Sequence, residues 1–248
     1  MKREELTAYL DATLESARFK DYCPNGLQVE GRAKVKRLVT GVTASVALLQ
    51  AAIAAEADTI LVHHGYFWKN EPAPLTGPKA ARIRRLMQND INLYAYHLPL
   101  DAHPVMGNNA QLGARLGLIA IQRFGEYDLG FAADLQEPET AAQWVARIEQ
   151  HLERPPQLLG SPDRVIRRVG WCTGGAQGYF DAAIAAGCDL FITGEASEPT
   201  YHLAQESGVA FIAAGHHATE RYGVQAVGEH LAQRFGIEHT FIDIANPV

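Results

Sequence analysis

Histidine and acidic residues follow four short apolar runs of the chain, each close to the point where the run ends. They are His63 and His64, His97 and Asp101, Glu195, and His216 and Glu220. Neutral imidazoles and carboxylates are good ligands for borderline divalent ions, and mixed nitrogen and oxygen sites suit zinc, manganese, iron or cobalt. The pattern therefore predicts a metal site formed by residues that are distant along the chain.

Five of these residues are strong metal ligands, which is more than one catalytic zinc ion usually takes. Such an ion binds three protein ligands and keeps one position open. A carboxylate can bridge two ions about 3.5–4 Å apart, and water between them is acidic enough to act as a nucleophile near neutral pH. We therefore expect two divalent ions per chain and hydrolysis by a metal-bound hydroxide. The five predicted ligands are His63, His64, Asp101, His216 and Glu220.

The two adjacent histidines need a particular backbone if they are to share a site. Successive side chains of a strand point to opposite faces of its sheet. We therefore expect the chain to turn at Gly65 and the residues before it, so that His63 and His64 reach the same side.

An internal repeat indicates that two parts of the chain fold alike. The sequence Ala-Ala-Ile-Ala-Ala at residues 51–55 returns at residues 182–186, 131 residues later. Asp58 and Asp189 are separated by the same number of residues. Matching positions at one constant offset predict a common supersecondary unit.

The repeat continues to the candidate ligands with a smaller offset. His97 with Asp101 and His216 with Glu220 each form a His-x-x-x-acid pair, and the two pairs are 119 residues apart. The offset falls by 12 residues, which is the length of residues 66–77, a stretch rich in proline and aromatic residues. We expect two similar lobes, of which the first carries an extra loop beside its site.

The elements that must position these residues alternate between strands and helices. Alternation of this kind predicts mainly parallel sheets with helices on both faces, and ligands of open α/β sheets bind beyond the carboxyl ends of the strands. All the candidate ligands fall near such ends. The predicted strands are residues 37–42, 59–62, 93–96, 165–171, 190–193, 209–214 and 241–243, and the predicted helices include residues 80–88 and those with faces at Leu6, Leu10 and Leu14 and at Val46, Leu49 and Ile53.

The middle of the chain follows a different pattern. Residues 127–135 alternate between apolar and polar at period two, which predicts a strand with one face in water. A helix with Val145, Ile148 and Leu152 on one side follows, and then a short strand at residues 157–159. We therefore predict an α/β fold of two similar, interlinked lobes with a β-α-β insert. The predicted boundaries are 1–121 for the first lobe, 122–165 for the insert and 166–248 for the second lobe.

The composition narrows the class of protein. Of 248 residues, 47% are hydrophobic and 20% are charged, which is typical of a globular protein and not of a disordered chain. The formal net charge of −6 disfavours general binding to nucleic acid. No apolar run approaches the ~20 residues of a bilayer-spanning helix, so we expect a cytoplasmic protein without a membrane partner. The three cysteines lack metal-finger spacing, which predicts reduced thiols.

Five short segments form an ordered set along nearly the whole chain. They are Cys-Pro-Asn-Gly-Leu-Gln-Val-Glu-Gly at residues 23–31, His-His-Gly at 63–65, His-Leu-Pro-Leu-Asp at 97–101, Thr-Gly-Glu at 193–195 and Gly-His-His-Ala-Thr-Glu at 215–220. This set resembles the GTP cyclohydrolase I type 2 homologs, the Nif-three-like metal-binding proteins. The resemblance implies a dinuclear metal centre with the five ligands named above and a ring-shaped homohexamer built as a trimer of dimers. The family name also implies a GTP ring-opening reaction.

The sequence departs from the family pattern at one of these segments. It has His-Leu-Pro-Leu-Asp where many members have His-Thr-Asn-Leu-Asp. The change leaves His97 and Asp101 in place and alters the polarity between them. The predicted ligand set is therefore unaffected.

Two further residues are predicted to act beside the metal ions. Glu195 and His97 could serve as general acid and base, since proton transfer needs a titratable group within hydrogen-bond reach of the reacting oxygen. Each could equally support a ligand from behind and fix its tautomer. The sequence leaves both roles open.

Two segments near the predicted ligands each allow two interpretations. Residues 174–178 are glycine-rich and lie between a strand and a helix, so they form either a phosphate cradle of backbone N–H groups or a tight turn. Tyr66, Phe67, Trp68 and Lys69 either stack a base and hold a phosphate, or anchor a loop or a contact between subunits.

Two classes of function follow from these residues. The first is a metal-dependent hydrolase of a nucleotide-like substrate, with two divalent ions of zinc, manganese, iron, cobalt or nickel. The alternative is a non-catalytic, metal-stabilised hexameric scaffold or binding protein, in which residues 122–165 pair with another chain as an oligomerisation element. The predicted partners are further copies of the chain and a small nucleotide-like molecule.

Overall fold

The computed structural model describes all 248 residues, and they form two compact units. The first unit comprises Met1–Gly107 and Gly223–Ala245, and the second comprises Asn108–Tyr222 and Asn246–Val248. Each unit has its own sheet with parallel strands and packed helices. The predicted α/β class is therefore confirmed. None of the helices combines the length and the apolar character that a membrane span requires.

Helices and strands alternate along most of the chain. Up to residue 107 the elements are α1 (Arg3–Thr13), β1 (Gly26–Val29), β2 (Arg37–Thr43), α2 (Val46–Ala54), β3 (Thr59–His64), α3 (Gly77–Gln88), β4 (Asn92–Ala95) and α4 (Leu98–Ala102). The next elements are α5 (Asn108–Arg115), β5 (Gln122–Phe124), β6 (Gly130–Thr140), α6 (Ala141–Leu152), β7 (Gln157–Leu159), β8 (Val165–Trp171), α7 (Phe180–Ala185), β9 (Leu190–Thr193), α8 (Glu198–Ser207), β10 (Ala210–Ala213) and α9 (His216–Thr219). The chain ends with α10 (Arg221–Phe235) and β11 (Glu238–Phe241).

The first unit contains a five-stranded sheet with one antiparallel edge strand. Its order is β1-β4-β3-β2-β11, and β1 runs against its neighbour while the other strands are parallel. Side chains alternate between the two faces, so Ile60 and Val62 pack with α2 and α3 while Leu61 packs with α1 and α10. Because helices cover both faces, the inner strand β4 is buried throughout.

The second unit contains a six-stranded sheet in which three parallel strands lie among antiparallel ones. The order is β5-β6-β8-β9-β10-β7, and β8, β9 and β10 are parallel. β6 runs antiparallel to β8, and β7 runs antiparallel to β10. Trp144 and Ile148 of α6 belong to the same buried cluster as Val169 and Trp171 of β8. This cluster is the core of the second unit.

The observed division of the chain differs from the predicted boundaries. Residues 122–165 contain β5, β6 and β7, which pair within the second sheet and are part of the second unit. β11 pairs in parallel with β2, with Glu238 opposite Arg37, so the last strand belongs to the first unit. Local periodicity predicts a strand but does not say which sheet the strand joins. The oligomerisation role of residues 122–165 stays a prediction.

The water-exposed face predicted for the middle strand is wrong for its first half. β6 begins at Gly130, and its residues up to Ala133 are all buried. Phe131 and Ala133 belong to the core of the unit, and the ring of Phe124 packs against Gly130. From Asp134 onward the side chains of the strand reach the surface.

The internal repeat corresponds to a shared β-α-β arrangement in each unit. Leu38 of β2 pairs with Thr59 of β3, and Val169 of β8 pairs with Leu190 of β9. Both members of the second pair lie 131 residues after those of the first. The repeat found in the sequence is therefore also a repeat of strand register.

Candidate metal centre

The first unit carries three histidines at the carboxyl end of its sheet. β3 ends at His64, and β4 ends shortly before His97. One ligand atom from each of His63, His64 and His97 lies within 4.8 Å of the others. The ring centroids of His63 and His64 are 4.5 Å apart although the strand continues through both residues. The turn expected at and before Gly65 therefore begins only after the histidines.

His63 is fully buried and held in one orientation by the backbone. Its Nδ1 donates a hydrogen bond of 2.9 Å to the carbonyl oxygen of Tyr96, since a carbonyl can only accept. The lone pair of the neutral ring is then on Nε2, which lies 3.5 Å from Oδ1 of Asp101. His63 thus presents the nitrogen that a metal would bind beside a carboxylate.

Strand pairing fixes the second histidine. Thr43 of β2 lies opposite His64 of β3, and the Thr43 hydroxyl oxygen is 3.2 Å from Nδ1 of His64. Metal-binding histidines are usually held in this way through one ring nitrogen while the other binds the ion. His64 is therefore held through Nδ1 by a hydroxyl, where His63 is held through Nδ1 by a carbonyl.

A short helix places Asp101 one turn after His97. The backbone N–H of Asp101 donates to the carbonyl oxygen of His97 at 3.2 Å. Pro99 lies in the first turn of this helix, where a missing N–H costs no helical hydrogen bond. The Asp101 side chain is buried beside His63. The predicted His-x-x-x-acid spacing thus delivers the carboxylate to the neighbouring strand's histidine.

His97 is held by the loop that precedes β1. Its Nδ1 donates to Oδ1 of Asp21 at 2.7 Å, and its backbone N–H donates to Oδ1 of Asn25 at 2.7 Å. Oδ2 of Asp21 also accepts a hydrogen bond of 2.9 Å from the backbone N–H of Leu98. The Trp68 ring lies at 83° to the His97 ring, with centroids 5.0 Å apart. These contacts fix the ring plane of His97 and leave Nε2 on the side away from Asp21.

The group formed by Asp21, Cys23 and His97 also brings three potential ligand atoms within 4.8 Å. Burial raises the pKa of Asp21. The hydrogen bond and charge of His97 and the hydrogen bonds from Asn25 and Leu98 outweigh this effect, so the pKa of Asp21 lies below its usual value. Burial raises the pKa of the Cys23 thiol to about 12, so the thiol stays protonated at neutral pH. The group is therefore a support for His97. All three cysteines of the chain are free and buried.

The second unit places His216 between two carboxylates. Nδ1 of His216 donates to Oε1 of Glu195 at 2.6 Å, and Nε2 lies 3.2 Å from Oε2 of the buried Glu220. Burial lowers the pKa of His216, but hydrogen bonds and charges of Glu220 and Glu195 raise it to about 9. The surroundings of this ring therefore favour positive charge.

A glycine turn closes on the ligands of the second unit. Gly174 has a left-handed φ of 70°, which glycine adopts without strain. A Cβ at this position would overlap Oε1 of Glu220 and lie 3.2 Å from Nε2 of His216. Only glycine leaves this space beside the two candidate ligands.

Hydrogen bonds of this turn distinguish between the two interpretations of residues 174–178, a phosphate cradle and a tight turn. The N–H of Gly174 donates to the Thr219 hydroxyl at 3.0 Å, and the N–H of Ala176 donates to the Thr193 hydroxyl at 3.2 Å. Two backbone donors of residues 174–178 are thus bonded to side chains. This favours the tight turn over the phosphate cradle.

The aromatic loop after β3 is anchored in the first unit. Tyr66 is buried, and its hydroxyl donates to the carbonyl oxygen of Ala44 at 2.7 Å. Trp68 lies against the histidines, with its ring centroid 6.0 Å from that of His64. Tyr66 therefore fits the interpretation as an anchor, and Trp68 is the aromatic residue that borders the candidate ligands.

The donor atoms of each unit fit a divalent cation. Two bonds of about 2.1 Å at a tetrahedral angle separate their donor atoms by about 3.4 Å. The separations observed are 3.5 Å between His63 Nε2 and Asp101 Oδ1 and 3.2 Å between His216 Nε2 and Glu220 Oε2. These histidine, aspartate and glutamate groups could therefore hold metal ions.

Sequence patterns missed the residues that orient the histidines. Sequence patterns assign no role to Asp21, Asn25 or Thr43, and the carbonyl of Tyr96 has no side-chain signature. Aspartate and asparagine are common in turns, so the turn-like composition around residues 21–26 concealed their contact with His97. Asp21 lies just before the segment at residues 23–31 and Asn25 lies inside it, which is the one signal that could have drawn attention to these two residues.

Comparisons with known proteins agree with this arrangement of residues. The family model for Duf34/NIF3 (NGG1p interacting factor 3) matches residues 1–247. A GTP cyclohydrolase 1 type 2 homolog of Neisseria meningitidis is 54% identical over 245 residues, covering 99% of this chain and 98% of the relative. One of the same name from Pseudomonas aeruginosa is 55% identical over 247 residues, covering 98% and 96%.

A solved structure gives the same result for the fold. Protein ybgI, described as of unknown function, matches with a TM-score of 0.95 and 49% identity over 100% of both chains. The family resemblance inferred from the five sequence segments is therefore confirmed. On the family model and on these relatives, the chain belongs to the Duf34/NIF3 family.

Proposed function

We propose that this protein is a metal-dependent hydrolase that binds two divalent ions per chain. The observation that carries the proposal is the shared orientation of three imidazoles. Each is held through Nδ1, and Nε2 of His63 and of His216 lies beside a carboxylate. This is how proteins prepare a histidine for a metal ion. The proposed ligands are His63, His64, Asp101, His216 and Glu220.

The catalytic roles proposed for His97 and Glu195 differ. With Nδ1 bonded to Asp21, His97 gives or takes a proton at Nε2, on the side of His63 and His64. Glu195 acts as a positioning residue, because its carboxylate accepts the Nδ1 proton of His216 and sets the tautomer of that ring. A bound divalent ion would lower the pKa of water and polarise a carbonyl or phosphoryl oxygen.

The proposed substrate is a nucleotide-like molecule. The relatives from Neisseria meningitidis and Pseudomonas aeruginosa carry the name GTP cyclohydrolase 1 type 2 homolog, which supports this class. The ring of Trp68 beside His64 and His97 offers a surface on which a base could stack. The scissile bond would then lie close to the histidine cluster.

Metal binding by point variants tests the proposed ligands. We expect His63→Ala and Glu220→Gln each to lower the zinc or manganese content from about two ions per chain to one or none, because each removes a donor. His202→Ala is the matched control, since His202 forms a similar pair with Glu198 at 2.9 Å on an exposed helix. Unchanged metal content in both ligand variants would refute the proposal.

Turnover of nucleotides tests the proposed reaction class. Metal-loaded protein should hydrolyse at least one member of a panel that includes GTP and other nucleoside phosphates, and His97→Gln should abolish turnover while metal content stays the same. Activity that persists after complete removal of the metal would contradict a metal-dependent hydrolase. Loss of metal in His97→Gln would contradict the separate role proposed for this residue.

A second candidate function is a metal-stabilised scaffold assembled as a homohexamer, a trimer of dimers. One observation favours it: β5 is an edge strand of the second sheet, and the chain just before it exposes two large apolar side chains, Ile119 and Ile121. They line a groove of about 820 Å³ together with Leu118 and Leu135. An exposed strand edge beside apolar groups is suited to pairing with a second copy of the chain.

The mass of the assembly in solution tests this candidate. Light scattering should give about six chains for the native protein and fewer for the double variant Ile119→Lys, Ile121→Lys. Leu75→Lys is the control, because Leu75 is exposed in the loop before α3. A native monomer, or an unchanged mass in the double variant, would contradict the role of this edge.

A further inference from the structure

Arg154 lies at the end of the second sheet that carries His216. It stands between α6 and β7, and Gln157 of β7 is opposite Ala213, the last residue of β10. Because β7 runs against β10, a residue before Gln157 falls beyond the carboxyl end of β10. Arg154 and His216 therefore follow the same edge of the sheet.

Gly215 leaves the space that the Arg154 side chain occupies at this edge. Gly215, directly before His216, has a φ of 102°, and a Cβ there would overlap Nη1 of Arg154. The guanidinium therefore packs against the backbone of Gly215. A larger residue at this position would displace it. The side chain is thus placed next to a candidate ligand by close contact with the main chain.

The guanidinium of Arg154 forms no ion pair with a carboxylate, unlike those of three other arginines of the unit. Its Nη1 is buried and has no hydrogen-bond partner. Three other arginines of the same unit each bind a carboxylate: Arg147 binds Glu139 at 2.7 Å, Arg164 binds Asp189 at 3.2 Å and Arg168 binds Asp134 at 2.8 Å. Buried polar groups are almost always hydrogen-bonded, and a buried charge is costly without a partner.

We propose that Arg154 binds an oxyanion, specifically a phosphate group of the substrate, beside His216. The planar guanidinium matches the oxygens of a phosphate with two parallel hydrogen bonds. Glu195 and Glu220 lie on the two sides of the His216 ring, and their charges would repel an anionic substrate. Arg154 supplies the opposite charge at this edge.

The segment before Arg154 is itself held in place. Nη2 of Arg221 donates to the carbonyl oxygen of Leu152, the last residue of α6, at 3.0 Å. This bond fixes the end of the helix two residues before Arg154. The guanidinium of Arg154 is therefore presented from an anchored backbone. The inference deepens the proposed hydrolase function by naming the chemical group that the substrate must carry.

Binding of inorganic phosphate tests the proposal. Calorimetric titration with phosphate is carried out on metal-free and on metal-loaded full-length protein, so that an anion bound by a metal is told apart from one bound by Arg154. We expect saturable binding in both forms, and we expect Arg154→Gln to weaken it about tenfold or more in both. Metal content should be unchanged in this variant, which separates this proposal from that of the metal centre.

Two further variants make the result decisive. Arg167→Gln is the matched control, because it removes the same charge from an exposed side chain near the start of β8, and it should bind phosphate like the native protein. Arg154→Lys keeps the charge and most of the stem, and it replaces the glutamine variant if that one does not fold. We expect its phosphate affinity to fall several-fold, since an ammonium cannot form the paired hydrogen bonds.

Four results would overturn the proposal. The first is native phosphate affinity in the Arg154 variants. The second is phosphate binding by the metal-loaded protein alone, and the third is no binding by the native protein at millimolar phosphate. Binding of acetate in preference to phosphate would also contradict it, because the site would then select a carboxylate.

Discussion

The two units share a β-α-β backbone arrangement and differ in the residues at the ends of the strands. In the first unit, Oδ2 of Asp58 accepts hydrogen bonds of 2.8 and 3.0 Å from two successive backbone N–H groups at the start of β2. In the second unit, Oδ2 of Asp189 accepts bonds of 2.9 and 3.1 Å from the equivalent groups of β8. The repeated aspartate is therefore structural, and it explains why both copies keep it.

The strand ends of the two units differ where chemistry is expected. β3 ends in His63 and His64, whereas the equivalent positions after β9 are Gly194 and Glu195. A Cβ at Gly194 would lie 2.6 Å from Cα of His216, so this position must stay small. The first unit thus supplies candidate ligands from a strand, while the second supplies the group that orients His216.

The two units also differ by one residue in length between the start of the next strand, β4 or β10, and the candidate histidine that follows it. β4 and β10 hold equivalent places, with Asn92 and Ala210 paired in the same way to the preceding strand. They are 118 residues apart, while the two candidate histidines are 119 apart. The segment that contains Gly215, with its φ of 102°, is therefore one residue longer. The comparison teaches that a repeat can keep its sheet while its site changes by local insertions.

The largest expected effect concerns the shared aspartates. Asp58→Ala should lower the free energy of unfolding by about 2–4 kcal/mol, because two backbone N–H groups lose the buried carboxylate that accepts their hydrogen bonds. Asp189→Ala should cost about half as much, since Asp189 is only half-buried and water can replace it. Urea unfolding measures both, with the exposed Asp163→Ala as control. Equal losses of unfolding free energy in Asp58→Ala and Asp189→Ala would contradict the effect that we assign to burial.

Replacing the carboxylate that holds His216 should weaken metal binding, whereas replacing the carboxylate that holds His97 should not. Glu195→Gln should weaken metal binding about 10- to 100-fold, because it supports a proposed ligand. Asp21→Asn should leave metal affinity within about twofold, because it supports His97, which we place outside the ligand set. Competition with a chelating dye measures both affinities. A larger metal loss in Asp21→Asn than in Glu195→Gln would reverse the proposed roles.

The glycine turn of the second unit can be probed against a glycine of similar backbone. Gly174→Ala and Gly187→Ala both place a side chain at positive φ, which should cost each about 1 kcal/mol of stability. Only a Cβ at Gly174 would meet Glu220, whereas Gly187 has nothing within 4 Å. Metal titration should therefore show weaker binding in Gly174→Ala alone. Equal metal binding in the two variants would show that the turn does not shape the site.

The smallest expected effect is a pH dependence that belongs to the first unit. Burial lowers the pKa of His239 on β11, and Glu229 offsets only part of this change. As the pH falls below the usual value of 6.5, the unfolded chain binds a proton that the folded chain does not, so stability decreases by at most about 1.4 kcal/mol per pH unit. His239→Gln should reduce this slope in urea unfolding between pH 5 and 7. An unchanged slope would contradict it.

Local patterns predicted most of the elements but not their partners. The spacing of Leu6, Leu10 and Leu14 predicted α1, and the apolar runs predicted β2, β3, β8 and β9 within one or two residues. β1 was missed because its few residues follow a turn-rich segment without clear alternation. The return of β11 to the first sheet was also missed, since strand pairing over 200 residues depends on tertiary packing and leaves no local pattern.

The candidate site shows the same limit. Imidazoles and carboxylates after strand ends could be recognised because parallel strands bring their carboxyl ends to one edge. The groups that orient them could not, because a backbone carbonyl such as that of Tyr96 is present in every residue and Asp21 stands 76 residues before His97. Orientation is set by contacts that appear only once the chain is folded. Sequence therefore predicts which donors are available better than it predicts how they are held.

The content of divalent metal in the native protein tests the central claim most directly. Full-length protein is equilibrated with zinc or manganese, freed of loosely bound ions by gel filtration, and measured by elemental analysis alongside protein concentration. The prepared imidazoles and buried carboxylates predict about two ions per chain. A content near zero after this loading would contradict the account.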